Sequence, residues 1–232
     1  MRYITSFILL FIVSLTFAQE RATVPGLIDH RKQRQAAAEK NIIALKEGVL
    51  LVRLNFQKQK IAYFEKYNNT KEVAKIKEKA LKVNTEIIDA FNTYFKFCKV
   101  YFFAMDDSRK VLDGKLDEVS FYNKDGVEDP SIKYTGDNFF VGEFGYIEQD
   151  TTSYYKGSTP STNNDKDPEG KTYYGGSKNN KSAFVIRDRN FIQLRDPFPY
   201  YVGYKYFGTL KSRYRSPIRK LNEKLVSYLS KF

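Results

Sequence analysis

The chain has 232 residues, 42% of them apolar and 16% aromatic, and a formal charge of +12. That is enough apolar side chain for one buried core and a length ordinary for a single domain. With one cysteine and one histidine, an intramolecular disulfide, a two-thiol redox motif and a thiolate zinc site are excluded, while a charge this far from neutral suits an anionic partner or surface.

The chain starts with a basic residue, Arg2, then the apolar run Phe7-Ile8-Leu9-Leu10-Phe11-Ile12-Val13, then the small-x-small sequence Thr16-Phe17-Ala18. This pattern predicts a secretory signal peptide over residues 1–18, cut between Ala18 and Gln19, and one mature domain over 19–232. The apolar run is short beside the roughly 20 residues that a membrane-spanning helix needs, so no transmembrane span is expected in the mature form. Gln19 rather than a cysteine stands directly after the cut, so a lipid anchor is not expected. The expected location is the periplasm or the exterior. Export disfavours nucleic acid as the partner of so basic a chain; lipid headgroups or acidic polysaccharide are the anions at hand there.

Leu27 to Lys46 reads as a helix with a basic start, ending near Gly48. Val49-Leu50-Leu51-Val52-Arg53-Leu54 is a short apolar run rich in strand formers, hence a buried strand. Gln57 to Tyr67 is helical, Asn68-Asn69-Thr70 interrupts it, and Asn69 with Glu72 has capping-box spacing for a new helix. Val73, Ile76, Ala80, Val83, Ile87 and Phe91 then recur at three- and four-residue steps and make one apolar stripe. Lys99 to Met105 is the clearest strand, Arg109 to Leu116 a short helix, Val119 to Tyr122 a strand and Asn123-Lys124-Asp125-Gly126 a turn.

Phe139 to Ile147 is a strand whose glycines suggest a bulge or close packing. Ser158 to Lys181 has almost no aliphatic side chains and predicts a long mobile loop. Ala183 to Arg187 and Phe191 to Leu194 read as a hairpin around Asp188-Arg189-Asn190. Pro197 to Val202 is expected to leave the sheet in extended form. Ser216-Pro217 has the pattern of a cap with proline at the first helical position, and Ile218, Leu221, Leu225, Tyr228 and Phe232 form the buried face of a last helix.

Four constellations are candidates for chemistry. Asp106-Asp107-Ser108 follows the carboxyl end of a strand, where open α/β sheets place ligands; a helix cap at Asp107 or Ser108 is the competing account. Asp165-Lys166-Asp167-Pro168-Glu169-Gly170 starts like a calcium loop, but Gly176 stands where the bidentate glutamate is needed. Glu143, Glu148 and Asp150 are close enough in sequence for a carboxylate pair. Cys98 lies in Phe97-Cys98-Lys99-Val100-Tyr101 as a small buried hydrophobe, with His30 the only histidine and distant in sequence. The C-terminal segment is the best binding candidate. Arg213, Arg215, Arg219 and Lys220 follow the aromatic residues Tyr204 and Tyr206, and aromatics beside cations stack on flat ligands or sugars and hold acidic groups. The competing account is a solvated basic helix face.

The Thr16-Phe17-Ala18-Gln19 ending, the segment from Leu45 to Leu54 and the segment Pro197-Phe198-Pro199-Tyr200-Tyr201-Val202 resemble those of uncharacterised exported proteins of the Bacteroidota. That resemblance implies location and no activity. The order of strand, helix, strand at Val100 to Ala104, helix, late hairpin and closing helix is similar to the thioredoxin-like fold. Where that family places its two active cysteines, this chain has Met105-Asp106-Asp107-Ser108-Arg109, so thiol–disulfide chemistry is not implied.

The expected fold is α/β: a single domain with a mixed sheet of about five strands and flanking helices, the first helix partly outside the core. An α+β arrangement with an antiparallel sheet is the alternative. The expected function is a non-enzymatic cell-envelope binding or accessory protein with a basic aromatic C-terminal surface and no cofactor. A hydrolase or metal-assisted enzyme centred on Asp106 and Asp107 is the alternative.

Overall fold

The computed structural model describes residues 25–148, 154–156, 172–174, 181–205 and 207–232. The predicted signal peptide, Tyr206, Asp150 and the calcium-like segment 165–170 lie outside the described residues. Two units divide the chain, residues 1–37 and 38–232. The described part of the first is the start of helix α1 (Pro25–Glu47); the second holds the sheet and the helices on it.

In the second unit the order is β1 (Val49–Leu54), α2 (Lys58–Lys66), α3 (Thr70–Tyr94), β2 (Lys99–Ala104), α4 (Ser108–Leu112), β3 (Phe121–Tyr122), β4 (Phe139–Tyr146), β5 (Tyr154–Lys156), β6 (Thr172–Tyr174), β7 (Ser182–Arg187), β8 (Tyr201–Gly203) and α5 (Leu210–Leu229). Six strands form one mixed sheet in the order β3-β2-β1-β4-β7-β8. β1 is parallel to β2 along its whole length, from Val49 against Lys99 to Leu54 against Ala104, and parallel to β4 on its other side. β3, β7 and β8 extend this trio antiparallel at the two edges. The fold is therefore α/β with a mixed sheet, and the purely antiparallel alternative is overturned by the parallel trio at its centre.

Alternation along β1 sends successive side chains to opposite faces. Leu50, Val52 and Leu54 join Ile87, Ile88 and Phe91 of α3, Ile218, Leu221 and Leu225 of α5, and Ala38, Ile42 and Leu45 in a large core. Val49 and Leu51 join Val111, Leu116, Val119, Phe121 and Val141 in a smaller core on the other face. The connection from β1 to β2 thus covers one face and the connection from β2 to β4 the other. Because parallel crossovers keep one hand, a chain that covers opposite faces steps to opposite sides of its first strand. The sheet order reverses between β1 and β4.

Local chemistry explains the boundaries. Gly48 closes α1, its N–H donating to the Ala44 carbonyl at 2.9 Å. A Cβ there would come within 2.5 Å of the Asn138 carbonyl and 2.8 Å of the Ala44 carbonyl. Only glycine lets Asn138 approach, and that approach seats β4 beside β1: Val49 N–H donates to the Asn138 carbonyl at 3.2 Å, and Asn138 Nδ2 to the Ala44 carbonyl at 3.1 Å. Asn69 caps α3 by accepting from Glu72 N–H at 3.2 Å, as the capping-box spacing predicts. The turn at 123–126 forms with Gly126 at φ 74° and its N–H donated to the Asn123 carbonyl at 3.1 Å.

Three expectations are corrected. Phe191 to Leu194 does not become a strand. The turn around Asp188-Arg189-Asn190 closes, with Asp188 N–H donating to the Ile192 carbonyl at 2.9 Å and Leu194 N–H to the Ile186 carbonyl at 3.2 Å, but the return segment makes a single bridge, Arg187 to Gln193. Tyr201–Gly203, which was expected to lie outside the sheet, pairs with Ala183 to Val185 of β7 as β8, next to the Arg187–Gln193 bridge. The last helix starts at Leu210, capped by Thr209 rather than Ser216, and runs through Pro217. Tyr214 before that proline and Ile218, Leu221 and Leu225 after it are all buried, so packing on both sides outweighs the lost backbone hydrogen bond. Within the predicted loop 158–181, Thr172–Tyr174 pairs antiparallel with Tyr154–Lys156.

Gly142 of β4 gives a direct test of the core. A Cβ there would lie 2.4 Å from Cζ of the fully buried Phe184 and 3.3 Å from Leu50 Cδ1. Gly142→Ala is expected to cost about 1–3 kcal/mol by overpacking and to lower the melting temperature by several degrees. Gly145→Ala, whose nearest contact would be at 3.9 Å, is expected to be close to neutral in the same calorimetric measurement.

Candidate functional site

Among the described residues, the acidic pair after β2 does not converge. Asp107 is buried at 8% exposure. One of its carboxylate oxygens accepts from Ser120 N–H at 3.2 Å and the other pairs with Lys110 Nζ at 2.7 Å. Asp106 faces Lys58 instead, at 3.8 Å. Asp107 makes no side-chain cap on α4 either; it ties the β2–β3 connection to α4. No group of three or more metal-ligating side chains assembles among the described residues. The C-terminal cations are also partly committed. Arg215 pairs with Asp89 at 2.7 Å and Arg219 meets Glu223 at 4.0 Å. Lys220 lines a shallow groove with Lys224, Tyr228 and Lys231.

The carboxyl ends of the parallel strands open into a cleft of about 340 Å³. Its walls come from Arg53 at the end of β1, Asn55 and Gln57 just after it, Met105 just after β2, and Glu143 and Phe144 of β4. Lys60 of α2, the face of α3 from Ile76 to Ile87, and Tyr204 and Tyr214 complete it. This is the crevice where the sheet order reverses, the place where open α/β sheets bind ligands. Ile76, Ala80, Val83 and Ile87 make the floor apolar. Phe144 stands edge-on to Tyr204 at 5.3 Å and to Tyr214 at 4.9 Å between ring centroids, so one wall is aromatic.

The polar side of the cleft rests on an ion array. Glu143 is paired to Arg53 through one carboxylate oxygen and to Arg187 Nε at 2.7 Å through the other. Arg187 also reaches Glu148 at 2.6 Å and the Phe191 carbonyl at 3.0 Å. Burial opposes the charge on Arg187, but Glu143 and Glu148 outweigh it and hold the guanidinium above its ordinary value. The Phe191 ring lies 5.4 Å from the Arg53 guanidinium carbon. The carboxylates expected from sequence to pair, Glu143 and Glu148, do not meet each other and are bridged by Arg187.

Glu143 is doubly satisfied by Arg53 and Arg187, so the cationic character left to the cleft comes from Lys60 and Lys79. Two buried polar atoms of lining residues make no hydrogen bond, Arg53 Nε and Asn84 Oδ1. The cleft can therefore hold a small anion with an apolar or aromatic body. Of the C-terminal residues expected to bind, Tyr204 is brought to this cleft and Arg213, Arg215, Arg219 and Lys220 are not among its lining residues. Sequence reading passed over Arg53, Lys60, Lys79 and Asn84. The signal for two of them was present: Arg53 is the one charge in an apolar strand, and Asn84 sits four residues after Ala80 and three before Ile87, inside the apolar stripe.

Two outcomes follow from these environments. Glu143→Gln leaves two partly buried guanidinium groups without their shared counter-charge, and urea unfolding is expected to show a loss of about 3 kcal/mol. Burial pushes the Cys98 thiol up to about 12, against smaller opposing effects of Lys46 and the Leu50 backbone. At pH 8 the thiol is then neutral, so mass spectrometry is expected to find Cys98 unmodified by iodoacetamide in the native protein and fully alkylated in guanidinium.

The chain matches no protein-family model, no curated protein and no solved structure, so the chemistry of the cleft is read from its own residues.

Proposed function

We propose that this chain is an exported, non-enzymatic binding protein of the cell envelope that holds a small organic acid in the cleft at the carboxyl ends of β1, β2 and β4. The observation that carries the reading is the composition of one crevice. Two lysines, Lys60 and Lys79, stand beside a carboxylate that Arg53 and Arg187 already neutralise, above an apolar floor and beside three aromatic rings. Cleft volumes of about 300–1,000 Å³ with mostly apolar walls and a few placed polar groups are typical of small-molecule sites. The absence of a converged acid, base or nucleophile among the lining side chains favours binding over turnover.

The anionic partner expected from the overall charge is placed by this reading in the cleft rather than on the C-terminal helix. That helix supplies Tyr214, and the strand before it leads into Tyr204, so the C-terminal segment takes part through its aromatic rings. Support for export is the signal-like start of the sequence. No helix among the described residues is long and apolar enough to cross a membrane. Mass spectrometry of the protein recovered from a bacterial envelope fraction is expected to find Gln19 at the N-terminus; an intact residue 1–18 segment on cytoplasmic protein overturns export.

The binding test uses 3-phenylpropanoate, a carboxylate on an aromatic body, titrated calorimetrically into the mature chain. Affinity is expected to fall as salt rises from about 0.01 M to about 0.15 M, with the Debye length shrinking from about 30 to about 8 Å. The double variant Lys60→Gln/Lys79→Gln is expected to weaken binding roughly threefold or more without moving the melting temperature, since both lysines are exposed. Arg213→Gln/Lys220→Gln is expected to leave it unchanged. Binding that is insensitive to salt and to both lysines sinks the cleft as the anion site.

A further inference from the structure

Helix α3 buries eight of its residues, α5 buries six, and even the short α4 buries Val111, but α2 buries none. Yet α2 and the residue that ends it carry Ile61, Tyr63, Phe64 and Tyr67. Ile61 and Phe64 are half-buried, while Tyr63 and Tyr67 are 58% and 63% exposed. The two tyrosines stand one helical turn apart with ring centroids 5.0 Å from each other, and Phe64 lies 5.3 Å from Tyr63. Single exposed aromatics are ordinary, but a contiguous group on a helix with no buried residue marks an interaction surface. A helix of nine residues is also marginal in water without a face to pack.

The turn that carries the pair is fixed. Tyr67 N–H donates to the Phe64 carbonyl at 3.2 Å and Asn69 N–H to the same carbonyl at 3.0 Å. Asn68 adopts φ 51°, which asparagine tolerates better than most residues, and Asn69 caps α3. Residues 65–71 are all exposed, so the tyrosines sit on an ordered helical hairpin that no other element covers at its turn.

Charge decides what fits there. From Lys58 to Lys82 the hairpin carries eight lysines and three glutamates. Lys58, Lys75 and Lys77 meet carboxylates. Lys66 and Lys71, on either side of the turn, meet none among the described residues. We propose that the α2–α3 hairpin docks on an anionic phospholipid surface, Tyr63 and Tyr67 entering the headgroup layer and Lys66 and Lys71 meeting the phosphates. Tyrosine joins an apolar ring to a polar tip and is enriched at that depth, and neighbouring lysines add attraction to anionic lipid. An acidic polysaccharide meets the lysines equally well but offers the two rings, Ile61 and Phe64 no apolar layer. The surface goes beyond the small-molecule reading, since neither tyrosine, Lys66 nor Lys71 lines the cleft.

The test is co-sedimentation of the mature chain with vesicles of phosphatidylglycerol and phosphatidylcholine, against phosphatidylcholine alone. Binding is expected with the anionic vesicles only, and it is expected to fall as salt rises. Lys66→Gln/Lys71→Gln is expected to weaken it about tenfold or more, and Tyr63→Ser/Tyr67→Ser about tenfold. All four residues are exposed, so the melting temperature is expected to hold in both variants. The chain has no tryptophan, so a single one reports where the contact is. Emission of Tyr63→Trp is expected to shift to the blue on anionic vesicles, and that of Ile192→Trp, at an exposed position after β7, to stay. Binding that survives loss of both tyrosines, or a Tyr63→Trp emission that does not move, overturns the hairpin as the docking surface. Retention on dextran sulfate without binding to anionic vesicles overturns the lipid in favour of an acidic polymer. Binding to neither overturns the proposal outright.

Discussion

β1 is paired in parallel on both sides, and most of the molecule is a consequence of that pairing. A strand with parallel neighbours on each side cannot be joined to them by tight turns, so both connections must be long and must cross a face of the sheet. The first crossing brings α2 and α3; the second brings α4 and the segment that includes β3. Both faces of β1 are then covered, which is why Val49, Leu50, Leu51, Val52 and Leu54 are all buried. Gly48 is the hinge of this arrangement, since its missing Cβ admits the Asn138 carbonyl that starts β4 beside β1.

The same topology produces the cleft. The connections that leave β1 and β2 toward opposite faces separate at the carboxyl ends of these strands, and the gap between them is lined by whatever residues end β1 and the strands beside it. Here those residues are Arg53, Asn55, Gln57, Met105 and Glu143. Arg53 in the interior of a sheet needs a counter-charge, and Glu143 supplies it from the neighbouring strand. Glu143 in turn is shared with Arg187 of β7, so the array spans three adjacent strands. Ion arrays of this kind contribute little net stability once desolvation is counted, but removing one member leaves the others uncompensated. Their effect is to hold Arg53 in one place at the cleft wall.

The basic character of the chain is distributed more evenly than its composition suggests. Arg215, Arg219, Lys110, Lys77 and Lys75 each meet a carboxylate within 4 Å. Such exposed pairs are worth little individually, yet each lowers the local positive potential. Where cations have no acidic partner among the described residues and stand beside apolar and aromatic walls, as Lys60 and Lys79 do at the cleft, the potential is retained.

Much of the fold was legible in the sequence. The strand at Val49–Leu54, the helix from Thr70 with its Asn69 cap and the strand at Lys99–Ala104 all follow from local patterns: an apolar run of strand formers, a capping box, a stripe of 3.6-residue period. These signals are local because the backbone hydrogen bonds and side-chain periodicity that they reflect are local. What tertiary structure alone decided was non-local pairing. Tyr201–Gly203 became the edge strand because the free edge of β7 at Ala183 to Val185 lies beside it, a pairing between segments that the sequence separates. Proline at 217 did not start the last helix, because Tyr214 had a place in the core one turn earlier. The acidic pair at 106–107 was divided between Lys110, at a local i,i+3 spacing, and Lys58, which lies on another element and which no spacing rule shows. Arg53, Asn84 and Tyr204 entered one cleft only when β1, α3 and the segment after β8 were packed together. A charge in an apolar strand and an amide in an apolar stripe mark a buried polar demand in the sequence; which partner meets it is a property of the assembled fold, because that partner lies on another element.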